Sequence, residues 1–377
     1  MGYCVEHLNS SDYTEIIEFL NIVFSETNGR EMNFKKSFPR VFKELDENMS
    51  WHYAVKENGK ICGTAASYPL TYSVGEEVLH LAACGNVAVS SDYRNQGIMQ
   101  LLMNQLVKEL PEKGFDVAYL HGYRTRYRTF GFERCGVEYI FQFNKPKQFE
   151  NKFSFSDLRE ESSDTIDFIQ SVARNQKSGI LRKNEDLIDA LCAQMRTPYV
   201  IKNKNNEIVG SFSASINNKQ ITELCLTDSN LFNQVIQSFL VSFNLDQVFM
   251  GIPAFEYEFV TSAMELADRY QIVQPGNFLI LNFEKIVRTF LKAKSKYTYL
   301  AEGTMIIDSE IFGKWKISYF DGTVTVEKTE EPAQIVFPGY TVYPFIFGTA
   351  SPINVDKSIA VLASSWFPLP LYCPYLS

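Results

Sequence analysis

The stretch YAVKENGKICGTAAS at residues 53–67 returns later in the chain as YVIKNKNNEIVGSFSAS at 199–215. Each copy is an apolar run, a polar turn and a second apolar run, the pattern of a β-hairpin. The surroundings repeat as well. A helical pattern precedes each hairpin (11–47, with Ile16, Ile17, Phe19, Leu20, Val23 and Phe24 on one face; then 164–175 and 184–195). A strand and a helix follow each one: 81–89 then 97–110, and 220–226 then 229–243. A chain that duplicates one such unit is expected to build two sheets of like plan. Shorter strands are expected at 61–69, 72–77, 117–120 and from 130 to 137. A third segment, from about 283, reads as a helix (284–294), strands at 304–308, 314–320 and 323–328, and an apolar, proline-punctuated end.

The copies part at the strand-to-helix junction. The first reads Val87-Ala88-Val89-Ser90-Ser91-Asp92-Tyr93-Arg94-Asn95-Gln96-Gly97-Ile98-Met99. The second, Leu226-Thr227-Asp228-Ser229-Asn230, has neither Arg nor Gly. Backbone N–H groups at a helix start have no intrahelical partner, and the helix dipole favours negative charge there. A glycine lets an anion approach the backbone, and an arginine adds charge and donors. The first junction is therefore a candidate phosphate cradle. It also fits a plain strand–turn–helix connection, and it matches neither a Walker A nor a dinucleotide-binding pattern.

Composition narrows the function. There are 36 Lys and Arg against 44 Asp and Glu, net −8, with 45% apolar residues. That is a globular chain with an acidic balance, which argues against nucleic acid as the main partner and tolerates a cationic one. Cys4, Cys62, Cys84, Cys135, Cys192, Cys225 and Cys373 are scattered, with no C-x-x-C, and read as reduced thiols of a cytoplasmic protein. The four His show no metal-ligand spacing, so no metal is expected. The N-terminal residues carry no signal-peptide pattern. Residues 332–355 and 358–377 are uncharged, but their prolines argue against membrane spans and for buried strands and turns.

Arg94-x-x-Gly97 after a strand resembles the acetyl-CoA pyrophosphate loop of GNAT N-acetyltransferases, with Met99 where Gly or Ala is usual. Tyr127-Arg128-Thr129-Phe130-Gly131-Phe132 is similar to the Tyr-x-x-Phe-Gly-Tyr/Phe stretch of the same family. The three-part layout resembles the Eis (enhanced intracellular survival) acetyltransferases over nearly the whole chain. The resemblance implies an α+β protein: two tandem GNAT-type mixed-sheet domains at 1–146 and 147–283, the second degenerate, and a sterol-carrier-like α+β domain at 284–377. It implies acetyl-CoA as co-substrate, held by Val87, Ala88, Val89, Arg94, Asn95, Gln96, Gly97, Ile98 and Met99. Arg124, Arg126 and Arg128 flank that site, with Arg128 a candidate phosphate contact. Tyr127 is implied as general acid for the leaving thiolate, which a phenol can protonate. The carboxylate of Ser377, at the end of the apolar tail 367–377, is implied at the transfer site as base or substrate anchor. A homo-oligomer, trimer or hexamer, is implied too.

The reading is an acetyl-CoA-dependent N-acetyltransferase of a small cationic amine or a lysine side chain. The amine attacks directly, since no Cys stands in a nucleophile context. The alternatives are a non-catalytic protein that binds an apolar ligand through the third domain, or an interaction scaffold.

Overall fold

The computed structural model describes residues 2–349 and 355–374. Its first sheet runs in the order Val5–His7, His52–Glu57, Lys60–Val74, Glu77–Val89, Val117–Leu120, Gly276–Ile280, Glu133–Cys135. Ser178–Leu181 adds an eighth strand beside the far end of Lys60–Val74. The second sheet, in the same sense, runs Phe153–Asp157, Thr197–Asn203, Ile208–Ser215, Gln220–Leu226, Gln247–Pro253, Glu138–Asn144, Arg269–Val273. The repeated hairpins hold the second and third places in both. In both, the fourth and fifth strands are the parallel pair. The fold is mixed α/β, built on several mixed sheets, as the repeat in the sequence leads one to expect.

Sheet membership cuts across the boundaries expected near 146 and 283. Glu138–Asn144 follows directly on the first unit yet pairs with Gln247–Pro253 and Arg269–Val273 of the second sheet. Gly276–Ile280 returns to the first sheet, between Val117–Leu120 and Glu133–Cys135. Each unit thus lends the other its sixth strand. Strand periodicity is the same whichever sheet a strand joins, so no local pattern distinguishes the two pairings.

Other differences have local causes. The N-terminal helical pattern stops at Asn28, where Gly29 takes a left-handed C-cap (φ 63°) and returns its N–H to Ser25. Only the short helices Phe34–Ser37 and Asp46–Met49 follow before the first hairpin. The strands expected at 61–69 and 72–77 are one strand, Lys60–Val74. Pro69 is tolerated inside it because the neighbour on one side ends at the His52–Ala66 pair and the next begins at Thr71–Leu181. The segment 184–195 is broken into the short helix Leu187–Leu191 between two single 3-10 turns. The apolar C-terminal stretches hold two short helices, Val342–Phe347 and Ala360–Trp366, where strands and turns were expected. Pro344 fits because it lies in the first helical turn. No helix among the described residues is long and apolar enough to cross a membrane.

The third sheet, Thr323–Lys328, Gly313–Phe320, Gly303–Ser309 and Ile335–Phe337, shares one core with the first sheet and the tail. Phe283, Ile286, Val287, Phe290 and Leu291 form the buried face of helix Phe283–Lys294 in that core. The chain then runs back between the units. Ile346 accepts from the Leu369 N–H (2.6 Å), Leu371 accepts from the Val137 N–H (2.8 Å), and Pro374 accepts from the Tyr119 hydroxyl (2.7 Å).

Lys294 fastens the start of this tail, donating to the carbonyls of Trp366 (3.1 Å) and Pro368 (3.0 Å). Burial pushes its ammonium down to about 8 from the ordinary 10.5. Between those values the unfolded chain holds the extra proton, so this group's contribution to stability rises as pH is raised from 8 to 10.5. The neutral amine still has donors for both carbonyls. The stability of the wild type relative to Lys294→Met should therefore increase from pH 8 to pH 10, measured by urea unfolding; a constant difference would refute this.

Candidate active site

The site begins with a ladder that stops. Glu77–Val89 pairs in parallel with Val117–Leu120 only from Leu81–Val117 to Ala83–Tyr119. Beyond Ala83 the two strands diverge. On the other side of the strand a bulge shifts the register between Thr64 and Ala66. The extra residue is Asn86, at φ 51°, whose carbonyl accepts from the Thr64 hydroxyl (2.8 Å) and whose amide donates to the Tyr68 hydroxyl. Bulges bend a strand and sharpen its twist. Here the bend opens the sheet beside Cys84–Gly85–Asn86–Val87.

The strand ends at Val89, and a polar turn leads into helix Ile98–Glu109. Gly97 is its N-cap at φ 79°, ψ 2°, a left-handed geometry that side chains resist, and no side chain caps this helix end. A Cβ added to Gly97 would meet nothing within 4 Å. The first N–H groups of the helix are left for an external acceptor. Asn95 is also left-handed (φ 62°), and the Arg94 Nε donates to the Val89 carbonyl (3.4 Å), holding the turn against the strand end.

Across the opening stands Tyr127, at the end of the short helix Arg124–Tyr127. Its ring packs over Gly122, where a Cβ would come within 2.6 Å of the ring carbon Cε2; only glycine leaves that space. The ring is buried at 7% exposure. Burial pushes its phenol above the ordinary value of 10, and Arg126 opposes part of that shift by its charge and a hydrogen bond. Tyr127 is therefore protonated at neutral pH. His121 also faces the opening, and burial, then the charge of Arg134, lowers its pKa below the ordinary 6.5.

These pieces bound one cleft of about 800 Å³. It gathers Val87, Ala88, Val89, Arg94, Asn95, Gly97, Ile98 and Met99 from the strand, turn and helix, together with Tyr127. Gln96 stands outside the lining; it accepts from the Tyr3 hydroxyl (2.5 Å) and donates to the Asp92 carbonyl (3.2 Å). Arg128 does not reach the cleft either. It pairs with the buried Glu133 (3.2 Å) and stacks on Tyr340 of the third unit (4.5 Å), so its expected phosphate role gives way to a contact between units. Arg124 also binds Glu133, and of the three arginines Arg126 is the one on the cleft. Ser377 lies outside the described residues; the tail is followed as far as Pro374, bonded to Tyr119 one residue before Leu120 in the cleft wall. Sequence reasoning missed the bulge at Asn86, as well as His121 and the helix residues Val23, Phe24 and Thr27. A lone Asn in a strand is a weak bulge signal, and no motif carries the others.

The second unit repeats the bulge, not the cradle. Register shifts between Ser211 and Ser213, and Glu223 takes φ 52° where the first unit has Asn86. At the following junction, however, the Asp228 carboxylate accepts from the Asn230 N–H (2.9 Å), so an acid of the chain itself caps the 3-10 turn Ser229–Leu231 that leads into helix Phe232–Ser242. The cleft beside it presents Asp228, Glu256 and Glu258, with Lys177 bound to Glu258 (2.8 Å).

Residues 5–135 match the family described as Acetyltransferase (GNAT) domain. No curated protein matches the chain in sequence. Among solved structures, a GCN5-related N-acetyltransferase from Anabaena variabilis is similar at a TM-score of 0.68 and 14% identity, over 97% of this chain and 97% of that one. Another from Kribbella flavida gives 0.63 and 14%, over 91% and 88%. Eis1 from Mycobacterium abscessus gives 0.60 and 13%, over 99% and 98%. At such identities the likeness is one of fold. With the family match over the segment that builds the cleft, the chain carries a GNAT acetyltransferase domain and is an acyltransferase.

Proposed function

We propose that the protein transfers the acetyl group of acetyl-CoA to a primary amine, on a small cationic molecule or a lysine side chain. The observation that carries this reading is the single cleft joining the uncapped turn at Gly97, the splayed strand 84–89 and the buried phenol of Tyr127. The residues fit the substrate: Gly97 leaves room for phosphate oxygens on helix N–H groups, and the strand edge offers backbone partners for an extended amide chain. Arg94, Asn95, Ile98 and Met99 shape that turn, and Val87, Ala88 and Val89 the edge; Gln96 braces the turn from behind. Tandem GNAT-type units, the second degenerate, and a sterol-carrier-like third unit complete the proposed architecture. By the resemblance, the assembly is a homo-oligomer, trimer or hexamer, at work in the cytoplasm.

In the proposed reaction a neutral amine attacks the thioester carbonyl carbon. The C–S bond breaks, and the leaving thiolate takes the Tyr127 proton. The raised phenol pKa keeps that proton in place until the sulfur needs it, and Arg126 steadies the tyrosinate that forms. The attacking nitrogen, cationic once it has bonded to the carbonyl carbon, sheds a proton to the terminal carboxylate of Ser377 or to water, leaving the neutral amide and free CoA thiol. Holding both reactants in one cleft supplies much of the acceleration.

The decisive experiment is a panel of polyamines, aminoglycosides and lysine peptides, read by thiol release from acetyl-CoA; no release with any amine would overturn the reading. Gly97→Asp should abolish acetyl-CoA binding, whereas Gly97→Asn, which tolerates the left-handed backbone without a charge, should retain weakened binding, with one site per chain by calorimetry. Two sites, or an unimpaired Gly97→Asp, would count against the cradle. Tyr127→Phe should keep acetyl-CoA affinity and lower kcat by roughly 10²–10⁴-fold; a loss under about threefold would remove it from proton transfer. Two glycines appended after Ser377 shift the carboxylate by up to ~7 Å. Activity should then fall at an unchanged melting temperature, and full activity would exclude the carboxylate from the site.

A further inference from the structure

One peptide unit of the cleft wall is clamped from behind. Thr64, buried in the neighbouring strand, donates its hydroxyl to the Asn86 carbonyl (2.8 Å). The carbonyl and N–H of a trans peptide point in opposite directions. With the Asn86 carbonyl held on Thr64, the N–H of the same unit, that of Val87, is aimed away from that strand and toward the cleft that Val87 lines. On that side the parallel ladder has already stopped, at the Ala83–Tyr119 pair.

The Asn86 side chain is held as well. Its amide donates to the hydroxyl of Tyr68, a residue buried in the core beneath the strand. The two bonds fix the carbonyl and the side chain of a residue in the left-handed region (φ 51°), which side chains resist. A bulge of this kind does not itself demand the pair. The second unit builds the same bulge with Ser215 in the register place of Tyr68, and its bulge residue Glu223 reaches Arg182 instead (2.7 Å).

We propose that Thr64 and Tyr68 are positioning residues for acetyl transfer: through Asn86 they aim the Val87 N–H at the carbonyl oxygen of the bound thioester, where negative charge grows as the amine attacks. The inference rests on the acetyl-transfer reading and adds to it the residues that hold the carbonyl donor. A donor fixed before the charge appears needs no reorganisation when it does. The Thr64 hydroxyl also acts electrostatically. Its hydrogen bond polarises the peptide from Asn86 to Val87 and makes the N–H at the other end a stronger donor. Neither Thr64 nor Tyr68 lines the cleft, so both act through Asn86 and not on the reactants.

The test is infrared spectroscopy of bound acetyl-CoA labelled at its thioester carbonyl, read beside kcat with an accepted amine and the melting temperature. On the wild type the carbonyl stretch should lie at lower frequency than in free acetyl-CoA, the sign of a polarised carbonyl. Thr64→Val should move it back toward the free value and lower kcat roughly 10–10²-fold, with KM for acetyl-CoA within about twofold of the original. Thr64→Ala, which cannot overfill the site, should do the same, and Thr64→Ser, which keeps the hydroxyl, should restore both readings. Tyr68→Phe should shift the stretch in the same direction by less. A folded Thr64→Val or Thr64→Ala protein that binds acetyl-CoA with the wild-type stretch and kcat would overturn the assignment, and so would a Thr64→Ser protein that behaves like Thr64→Val. Failure of the wild type to bind acetyl-CoA would instead overturn the acetyl-transfer reading, and the assignment with it.

Discussion

The divergence of two parallel strands after Ala83 and Tyr119 is the constraint on which the rest depends. A sheet interior cannot leave backbone N–H and C=O groups unpaired without cost. This sheet ends one ladder early, lets the bulge at Asn86 absorb the twist, and spends the freed backbone edge as a cleft wall. The left-handed Gly97 follows from the same demand: the chain must turn sharply from the strand end into a helix aimed back across the opening. Gly63 marks how closely that helix sits on the sheet, since a Cβ there would come within 2.5 Å of Ile98.

The exchange of sixth strands and the path of the tail act together. With Glu138–Asn144 in one sheet and Gly276–Ile280 in the other, neither sheet is complete without chain from the far unit. The tail then threads the seam. Leu369, Leu371, Tyr372 and Cys373 are buried in the core shared with the first and third sheets, and the bonds to Ile346, Val137 and Tyr119 fix its course. Buried apolar chain with satisfied backbone is not readily withdrawn. The wall of the cleft that carries Leu120 is thus supported from behind by the third unit's own end.

Elements with strong local signals were legible in the sequence: the repeated hairpins, helix Ile98–Glu109, helix Phe283–Lys294, and the turn containing Arg94 and Gly97. What escaped was decided over long range. Whether 138–144 joins the first sheet or the second depends on partners more than a hundred residues away, not on its alternation. The fate of Arg128 was equally hidden, because Glu133 and Tyr340 compete for it and only folding brings Tyr340 near. His121 and Thr27 reach the cleft through strand direction and helix facing, which no spacing rule announces. The short helices near the C-terminus were obscured by prolines that suggest extended chain wherever they stand; their tolerance at a helix start shows only in place.

The comparison of the two junctions explains why one unit carries the cleft's chemistry. Both units have the bulge, with Asn86 and Glu223 in the same left-handed geometry. They differ in the turn that leads into the next helix. In the first unit no side chain caps the helix end, and the glycine keeps the approach open. In the second, the Asp228 carboxylate caps the 3-10 turn Ser229–Leu231 ahead of helix Phe232–Ser242, and Glu256 and Glu258 line the space beyond. An N-cap carboxylate stabilises a helix by typically about 1 kcal/mol, but it puts negative charge where an external anion would need to sit. At the second junction a carboxylate of the chain stands where the first leaves its turn open. The second unit lends a strand to the first sheet, and its strand Ser178–Leu181 extends that sheet at Lys60–Val74. In the fold it braces the first unit through these strand pairings.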